Sequence, residues 1–377
     1  MDNKRNISHE VADKIFVTKP SMASFDEYIE KIRVLWDSHW ITNMGEYHNE
    51  LEKRLADYLD VPEIALTVNG HMALEFAIQS FGFPPGAEII TTPFTFVSTV
   101  HAIVRCGYVP VFCDIKSIDG TIDEKKIETL ITDKTVAVLP VHVYGNICNV
   151  DAIEDIARKH NLRVIYDAAH AFGETYNKKG IGNYGDMSIF SFHATKVFNT
   201  IEGGAVVCKN HEMYEKIHAL RNFGIRGEEH IIDVGSNGKM NEFVAAMGLC
   251  NLNHIEEAIE ARKYISDKYK LGIESISGLR LLNINNCDVR NYAYFPIIVE
   301  NDFPLSRDEL YEKFRRNGIY ARKYFWPLIP KAECYMHQYG NICLEVAEDM
   351  SNRCLTLPIY EGIQEEAVQR VVDILIE

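Results

Sequence analysis

The 377-residue sequence has few of the features that mark disordered or membrane-spanning chains. It contains only 12 prolines, and 47% of its residues are hydrophobic against 25% charged, which excludes a long disordered or collagen-like region. No apolar run approaches the roughly 20 residues of a membrane span. The first 14 residues also lack the apolar stretch of a signal peptide. We therefore expect a folded, cytoplasmic protein that makes no contact with a membrane.

Neither the cysteines nor the basic residues form the patterns that are typical of disulfide-rich, metal-binding or nucleic-acid-binding proteins. The nine cysteines include no C-x-x-C pair, so we expect reduced thiols rather than a disulfide framework, and no metal site. Lys and Arg number 39 against 54 Asp and Glu, which gives a formal net charge of −15. Because an acidic surface repels phosphate backbones, nucleic acid is not an expected partner either.

The order of apolar runs predicts two domains. From about residue 61, short apolar runs alternate with helix-length segments, which is the pattern of a mostly parallel sheet covered on both faces. After about residue 250 the pattern changes, and it includes a helix opened by the capping box Ser306-Arg-Asp-Glu309. We predict a helical N-terminal segment and large α/β domain over 1–250, and a smaller α+β domain over 251–377. The predicted large-domain strands are 64–68, 88–91, 109–112, 136–143 and 162–166.

Residues 180–185, G-I-G-N-Y-G, match the dinucleotide-binding pattern G-x-G-x-x-G and raise a nicotinamide dehydrogenase as an alternative. That pattern must follow a strand and open a helix. Here it follows the polar Y-N-K-K and leads into a strand-like run at 187–192. The context therefore predicts a hairpin or turn.

A single lysine, Lys196, lies in the break between two apolar runs that both predict buried strands. Most lysines are solvated surface residues, and that interpretation stays open here. A buried ammonium, however, loses hydration, which lowers its pKa and supplies the neutral amine that attacks a carbonyl. Lys196 is therefore a candidate for a Schiff base with a pyridoxal-type cofactor.

Such a cofactor needs an anion beside its ring nitrogen and hydrogen-bond donors for its phosphate. Asp167 follows the apolar run 162–166, so its carboxylate should lie at the carboxyl end of a parallel strand, where ligands of open sheets bind. A helix-capping aspartate is the alternative. Gly70 separates a strand from a helix predicted over 73–80, and Ser191 adds a hydroxyl.

Six short motifs follow one another in an order that is typical of one enzyme family. They are N-G-H-M-A-L at 69–74, T-P-F-T-F-V at 92–97, P-V-H-V-Y-G at 140–145, D-A-A-H at 167–170, S-F-H-A-T-K at 191–196 and E-G-G at 202–204. This series resembles the DegT-type nucleotide-sugar aminotransferases, which are pyridoxal-phosphate enzymes. The resemblance implies the α/β fold of aspartate aminotransferase (type I), with a mostly parallel seven-stranded sheet in its large domain.

The resemblance also implies a role for each cofactor-binding residue around the ring. Lys196 corresponds to the Schiff-base lysine and proton shuttle, and Asp167 to the partner of the pyridine nitrogen. His170 stands where family members place a residue beside the phenolic oxygen. Phe96 matches the aromatic residue that stacks on the ring.

The phosphate cradle implied by the resemblance comprises Gly70, His71 and Ser191. Asn237 falls in a stretch from which a family asparagine reaches the phosphate of the other subunit. This correspondence implies a homodimer with shared active sites. An ordinary turn asparagine is the alternative for Asn237.

The resemblance implies transamination of a nucleotide-linked keto-6-deoxyhexose with L-glutamate as amino donor. The motifs look most like those of enzymes that convert dTDP-4-keto-6-deoxyglucose to a 4-amino-4,6-dideoxy sugar for surface glycans such as lipopolysaccharide O-antigen. Amination at C3 of a dTDP-3-keto-6-deoxyhexose is the alternative. Arg322, Tyr324 and His142 are candidate sugar-nucleotide contacts, since a diphosphate favours a guanidinium and a sugar ring an aromatic face. A solvated loop with some buried rings is the alternative for the run that carries Arg322 and Tyr324. His193 is a further candidate acid or sugar contact.

Two other activities are open within the resemblance. Related sugar dehydratases carry histidine in place of the Schiff-base lysine, so Lys196 disfavours that activity. A regulatory relative would bind cofactor or sugar nucleotide without turnover. Such a protein need not keep Lys196, Asp167 and Ser191 together, which makes an active transaminase the favoured interpretation.

Overall fold

The computed structural model describes residues 14–282 and 287–377. No helix within these ranges is long and apolar enough to cross a membrane. The described part of the chain begins with one short strand and three helices that precede the central sheet. These elements are β1 (Ile15–Phe16), α1 (Phe25–Arg33), α2 (Leu35–Ser38) and α3 (Glu46–Leu59).

The large domain is built around a seven-stranded sheet, as the family resemblance implies. Its strands, in chain order, are β2 (Glu63–Thr67), β3 (Glu88–Thr91), β4 (Val109–Phe112), β5 (Thr135–Leu139), β6 (Arg163–Asp167), β9 (Met187–Ser191) and β10 (Gly204–Cys208), and a small hairpin of β7 (Thr175–Tyr176) and β8 (Lys179–Gly180) lies between β6 and β9. The spatial order is β2-β10-β9-β6-β5-β3-β4. Only β10 runs antiparallel to its neighbours, so the carboxyl ends of the other six strands meet at one edge.

Helices cover both faces of this sheet because its strands alternate their side chains between two apolar clusters. In β2, Ile64 and Leu66 belong to one cluster while Ala65 belongs to the other. The large-domain helices are α4 (Gly70–Gln79), α5 (Ser98–Arg105), α6 (Glu124–Ile127), α7 (Val150–His160), α8 (His211–Leu220) and α9 (Glu242–Leu252).

The predicted strands 64–68 and 162–166 are each shifted by one residue in the structure, and two predicted elements differ by more than that for local reasons. The strand predicted over 136–143 ends at Leu139, because Pro140 has no N–H to continue the ladder, and a 3₁₀ turn follows at Val143–Gly145. The helix predicted over 73–80 begins earlier, at Gly70. The side chain of Asn69 accepts a hydrogen bond from the Met72 N–H and so caps the first turn.

The C-terminal part of the chain forms the predicted α+β structure. Its three-stranded antiparallel sheet has the order β11-β12-β14, and the capping box at Ser306 and Glu309 is present. Its elements are α10 (Ile255–Ile273), β11 (Leu279–Leu281), β12 (Phe295–Val299), α11 (Arg307–Arg316), β13 (Ile319–Tyr320), α12 (Glu333–Tyr339), α13 (Glu345–Arg353), β14 (Cys354–Leu357) and α14 (Glu365–Ile376). Strand β1 pairs in parallel with β13, so the N-terminal strand, which the sequence groups with the large domain, packs on the C-terminal part.

The glycine motif at 180–185 is a turn, as its context predicts. Gly180 ends the β7-β8 hairpin, and a 3₁₀ turn over Ile181–Asn183 leads into strand β9. Gly185 has a positive φ of 76°. No helix begins at this motif, so it has none of the geometry of a dinucleotide-binding loop.

Candidate active site

A cavity of about 510 Å³ lies where the carboxyl ends of the sheet strands meet the C-terminal domain. Ten of the twelve predicted site residues line it. They are Gly70, His71, Phe96, Asp167, His170, Ser191, His193, Lys196, Arg322 and Tyr324.

Lys196 lies in a tight turn that follows strand β9. Its backbone N–H donates to the carbonyl of His193 at 2.8 Å, which closes the turn and leaves the side chain half-buried against the cavity. The Nζ atom donates to the hydroxyl of Tyr294 at 3.2 Å. The amine is therefore held at a defined place in the cavity by a tyrosine of the C-terminal domain.

Asp167 ends strand β6 and presents a buried carboxylate to the cavity. Its Oδ2 accepts a hydrogen bond from the Thr99 hydroxyl at 2.8 Å, and its Oδ1 accepts one from the Ala169 N–H at 3.1 Å. Burial raises the pKa of Asp167, while these two hydrogen bonds and the more distant Lys196 oppose the shift. Within the described part of the chain no cation forms an ion pair with this carboxylate, so it is suited to receive one from a ligand.

His170 is buried beside Asp167, and its hydrogen bonding defines its tautomer. Its Nδ1 accepts from the Tyr144 N–H at 3.0 Å, so the proton of the neutral ring lies on Nε2. Burial, and secondarily the charge of Lys196, hold the pKa of His170 well below its usual range. The ring is thus a neutral hydrogen-bond donor that lines the cavity.

The first turn of helix α4 packs against the end of strand β9 and forms a small cradle. A Cβ atom added to Gly70 would lie 2.8 Å from the Cβ of Ser191 and 3.2 Å from its Cα. Only glycine permits this approach, which brings the helix N-terminus and the Ser191 hydroxyl to the same side of the cavity. Helix N–H groups and a hydroxyl together form a site for an anion.

His71 adds a second polar group next to this cradle. Its Nδ1 lies 2.8 Å from the Ser98 hydroxyl, and its Nε2 lies 3.1 Å from a carboxylate oxygen of Glu75. The buried Glu75 in turn contacts the guanidinium of Arg105. These contacts fix the orientation of the imidazole at the cavity wall.

The outer part of the cavity carries exposed aromatic and charged side chains. Phe96 is 57% exposed although it is fully apolar, and its ring is free to cover a flat ligand. The guanidinium of Arg322 lies 5.5 Å from the centre of the Tyr324 ring. The Nε2 of His193 lies 3.6 Å from the carboxylate of Glu202.

Two predicted site residues do not line the cavity. The His142 ring is fully buried, stacks on Tyr166 with centroids 4.7 Å apart, and accepts a hydrogen bond from the Cys148 N–H at Nδ1. Burial lowers the pKa of His142 to about 3, and its ring has no surface to offer a sugar. Asn237 is exposed in a loop where it bridges to Asn222, and it does not line the cavity.

Two residues that the sequence did not predict contact the predicted site. Tyr294 accepts a hydrogen bond from Lys196, and Thr99 donates one to Asp167. Thr99 lies three residues beyond Phe96, on the first turn of helix α5. Its only signal in the sequence is a polar side chain close to the predicted ring-stacking residue. Tyr294 comes from the other domain, and the sequence around it carries no signal for contact with Lys196.

Comparisons with known proteins agree with this geometry. Residues 24–376 match the model of the DegT/DnrJ/EryC1/StrS aminotransferase family. The chain is 43% identical over 364 residues to a dTDP-4-amino-4,6-dideoxy-D-glucose transaminase of Shigella dysenteriae, covering 96% of this chain and 98% of the relative. A protein of the same name from Escherichia coli is 40% identical over 365 residues, with 96% and 97% coverage. The crystal structure of DesI in the presence of its TDP-sugar product superposes with a TM-score of 0.91 at 31% identity, covering 96% of this chain and 92% of that one.

Proposed function

The chain belongs to the DegT/DnrJ/EryC1/StrS aminotransferase family, and we propose that it transfers the amino group of L-glutamate to dTDP-4-keto-6-deoxyglucose. The product would be dTDP-4-amino-4,6-dideoxyglucose, a precursor for surface glycans such as O-antigen. As a family member the protein is a sugar aminotransferase that uses pyridoxal phosphate. The observation that carries the choice of sugar is the near full-length similarity to two transaminases named for this product.

The residues of the cavity fit pyridoxal phosphate. This cofactor supplies an aldehyde that accepts the amino group and a ring that withdraws electrons from the reacting carbon. Asp167 provides the buried carboxylate that a protonated ring nitrogen requires, and among the described residues no cation pairs with it. His170 provides a fixed Nε2–H donor for the phenolic oxygen, and Phe96 offers its ring for stacking.

The phosphate has a matching place at the start of helix α4. The approach of Gly70 to Ser191 gathers the first N–H groups of the helix and one hydroxyl around a small concave surface. His71 extends this surface, with its ring oriented by Ser98 and Glu75. Because helix N-termini favour negative charge, this cradle would hold the phosphate and so fix the orientation of the ring.

Lys196 carries the chemistry in this proposal. Its amine would hold the aldehyde carbon of the cofactor, and the same nitrogen would be the base that takes a proton from the reacting carbon of the amino donor. It would return a proton when the keto sugar accepts the amine. Arg322, Tyr324 and His193 line the outer cavity and are positioned to contact the sugar nucleotide.

We propose further that two copies of the chain form a homodimer with shared sites. Large apolar side chains are exposed on the N-terminal helices and on the loop that precedes Asn237, where Val234 is 88% exposed. Exposed apolar surface of this extent marks an interface. The exposed residues of these two regions are Phe25, Val34, Trp36, Trp40, Ile41, Phe223, Ile231, Ile232 and Val234.

Mixing two inactive variants tests the shared site. If Asn237 of one subunit completes the site that holds Lys196 of the other, refolding Lys196→Ala together with Asn237→Ala restores one intact site per heterodimer. Random pairing then gives about one quarter of the parent activity. A mixture that stays inactive, although tandem affinity purification of differently tagged subunits recovers heterodimers, would contradict shared sites.

The transaminase itself is tested with the purified protein. We expect a visible absorbance band of the bound cofactor that bleaches when L-glutamate is added and returns with the keto sugar, and no lysine-linked band in Lys196→Ala. NMR of the sugar product distinguishes amination at C4 from amination at C3. A protein that binds the cofactor but never turns over glutamate would instead be a regulatory relative. We place the enzyme in the cytoplasm, consistent with its nine free cysteines.

A further inference from the structure

Tyr294 occupies a position in the active site that the proposed function has not yet used. Its hydroxyl lies 3.2 Å from the Nζ of Lys196 and is the hydrogen-bond partner of that nitrogen among the residues the structure describes. We propose that Tyr294 is a further catalytic residue, whose oxygen accepts a hydrogen bond from Lys196 and so aims the nitrogen at the reacting carbon. This inference rests on the proposed transamination.

The chain segment that carries Tyr294 is fixed by a buried asparagine. Asn291 donates from Nδ2 to the carbonyls of His170 at 2.9 Å and Phe172 at 3.0 Å, and its Oδ1 accepts from the Ala293 N–H at 2.9 Å. Asn291 is 1% exposed, so these bonds are shielded from competing water. They tie the segment just before strand β12 to the loop that carries His170.

Aromatic contacts fix the ring of Tyr294 in the same place. Its centroid lies 4.5 Å from that of His170 and 5.8 Å from that of Tyr144, and the Tyr324 ring meets it edge-on at 6.2 Å. Packing on three sides restricts rotation of the ring, so its hydroxyl is aimed at Lys196. The hydroxyl is therefore positioned before any substrate arrives.

The hydrogen bond suits a base that changes its protonation state. A neutral amine has two N–H groups and one lone pair, so donating one N–H to Tyr294 leaves the lone pair free to take a proton. After Lys196 has taken the proton from the reacting carbon, its ammonium still donates to the same oxygen, and the bond becomes charge-assisted. The contact thus persists through the transfer and strengthens as positive charge develops on Nζ.

The variant Tyr294→Phe tests this role because it keeps the ring and removes only the hydroxyl. We expect kcat with L-glutamate to fall about 10- to 100-fold, the range of a lost hydrogen bond to a charged group, with KM changed far less. The isotope effect with glutamate deuterated at its α carbon should rise, because proton transfer becomes more rate-limiting. The affinity for pyridoxal phosphate should stay within about threefold, since Tyr294 contacts the amine and not the phosphate cradle.

A second readout needs no cofactor. In the protein freed of cofactor, acetic anhydride labels Lys196, and peptide mass spectrometry measures the labelling rate with surface lysines as internal standards. This rate should differ about two- to tenfold between Tyr294→Phe and the parent. Tyr292→Phe is the matched control. Tyr292 lies two residues away in the same segment, and its ring contacts Arg290 rather than Lys196. In Tyr292→Phe, the labelling of Lys196 and the turnover of glutamate should therefore equal those of the parent.

Each outcome decides a different point. An active parent whose Tyr294→Phe variant keeps the same kcat, isotope effect and Lys196 labelling would overturn the role of Tyr294 and leave the transaminase intact. A parent that does not turn over glutamate would remove the proposed function, and this role with it, whatever the labelling shows. A fall in kcat that Tyr292→Phe reproduces would assign the effect to packing and would also overturn the role.

Discussion

Replacing Asp167 by asparagine should change the thermal stability of the protein in opposite directions with and without pyridoxal phosphate. The substitution keeps the shape of the side chain and removes its charge. The asparagine carbonyl can still accept from the Ala169 N–H. Its amide can donate to the Thr99 hydroxyl, which already lies 3.2 Å from the carbonyl of Phe96 and can donate to it instead. The oxygen and the nitrogen of the asparagine side chain each keep one hydrogen-bond partner.

Without the cofactor, the variant should be more stable than the parent. Burying a carboxylate costs several kcal/mol, and the two hydrogen bonds that Asp167 accepts offset this cost only in part. We therefore expect a difference of about 1–2 kcal/mol in favour of asparagine at neutral pH. The raised pKa of Asp167 has the same sign, because stability present at low pH is lost as the carboxyl ionises. At about 2.1 cal/mol/K of unfolding entropy per residue, a chain of this length should gain about 1–3 °C in Tm.

With the cofactor bound, the order should reverse. The parent then gains the pair between Asp167 and the ring nitrogen, and loss of a buried charge pair costs about 2–5 kcal/mol. Thermal unfolding with and without saturating pyridoxal phosphate measures both effects. Thr99→Val is the control, because it keeps the charge, removes one donor and should lower the Tm of the cofactor-free protein. The reasoning would be refuted by an Asp167→Asn variant whose Tm without cofactor lies below that of the parent. It would also be refuted if pyridoxal phosphate raised the Tm of the variant as much as that of the parent.

Three further predictions follow from other contacts. Gly70→Ala places a methyl 2.8 Å from the Cβ of Ser191. The overpacking costs about 1–3 kcal/mol, which exceeds the gain in helix propensity of about 1 kcal/mol. Cofactor titrations should therefore show an affinity for pyridoxal phosphate reduced about tenfold, and an unchanged Kd would contradict the cradle. Burial raises the pKa of Glu174 to about 8, so its contribution to stability should be lost as the pH rises from about 4.3 through about 8. The Tm of the parent should therefore fall over this range more than that of Glu174→Gln, and parallel curves would argue against it. Ser306→Ala removes the capping box and should lower the free energy of unfolding by about 1 kcal/mol in urea titrations, whereas Ser306→Thr should retain most of it.

The residues at the strand ends were predictable because their signal is local. Asp167 and Ser191 each follow an apolar run that forms a buried strand, and parallel strands deliver the residues at their carboxyl ends to a common edge. Lys196 follows in the turn after the same strand. The break between strand and helix at Gly70 is local in the same way, and the family resemblance then added His71, Phe96 and His170, all of which line the cavity.

The remaining contacts depend on how distant segments meet, which no local pattern records. His142 also follows an apolar run, yet Pro140 ends strand β5 early and the turn directs the ring inward against Tyr166. Tyr294 reaches Lys196 only because the C-terminal domain packs over the strand ends. The early strand Ile15–Phe16 likewise pairs with residues about 300 positions later, a contact that composition and periodicity do not encode.

The pairing of β1 with β13 also sets an order of events on the ribosome. Ile15 bonds to Gly318 and pairs with Ile319, and the carbonyl of Val17 accepts from the N–H of Ile359. At about 5–20 residues per second, the first of these partners is made about 15–60 s after Ile15 itself. During that interval the strands of the large domain can pair among themselves, while strand β1 must wait for its partners. The earliest of the described strands to be synthesised is therefore among the last to take its place.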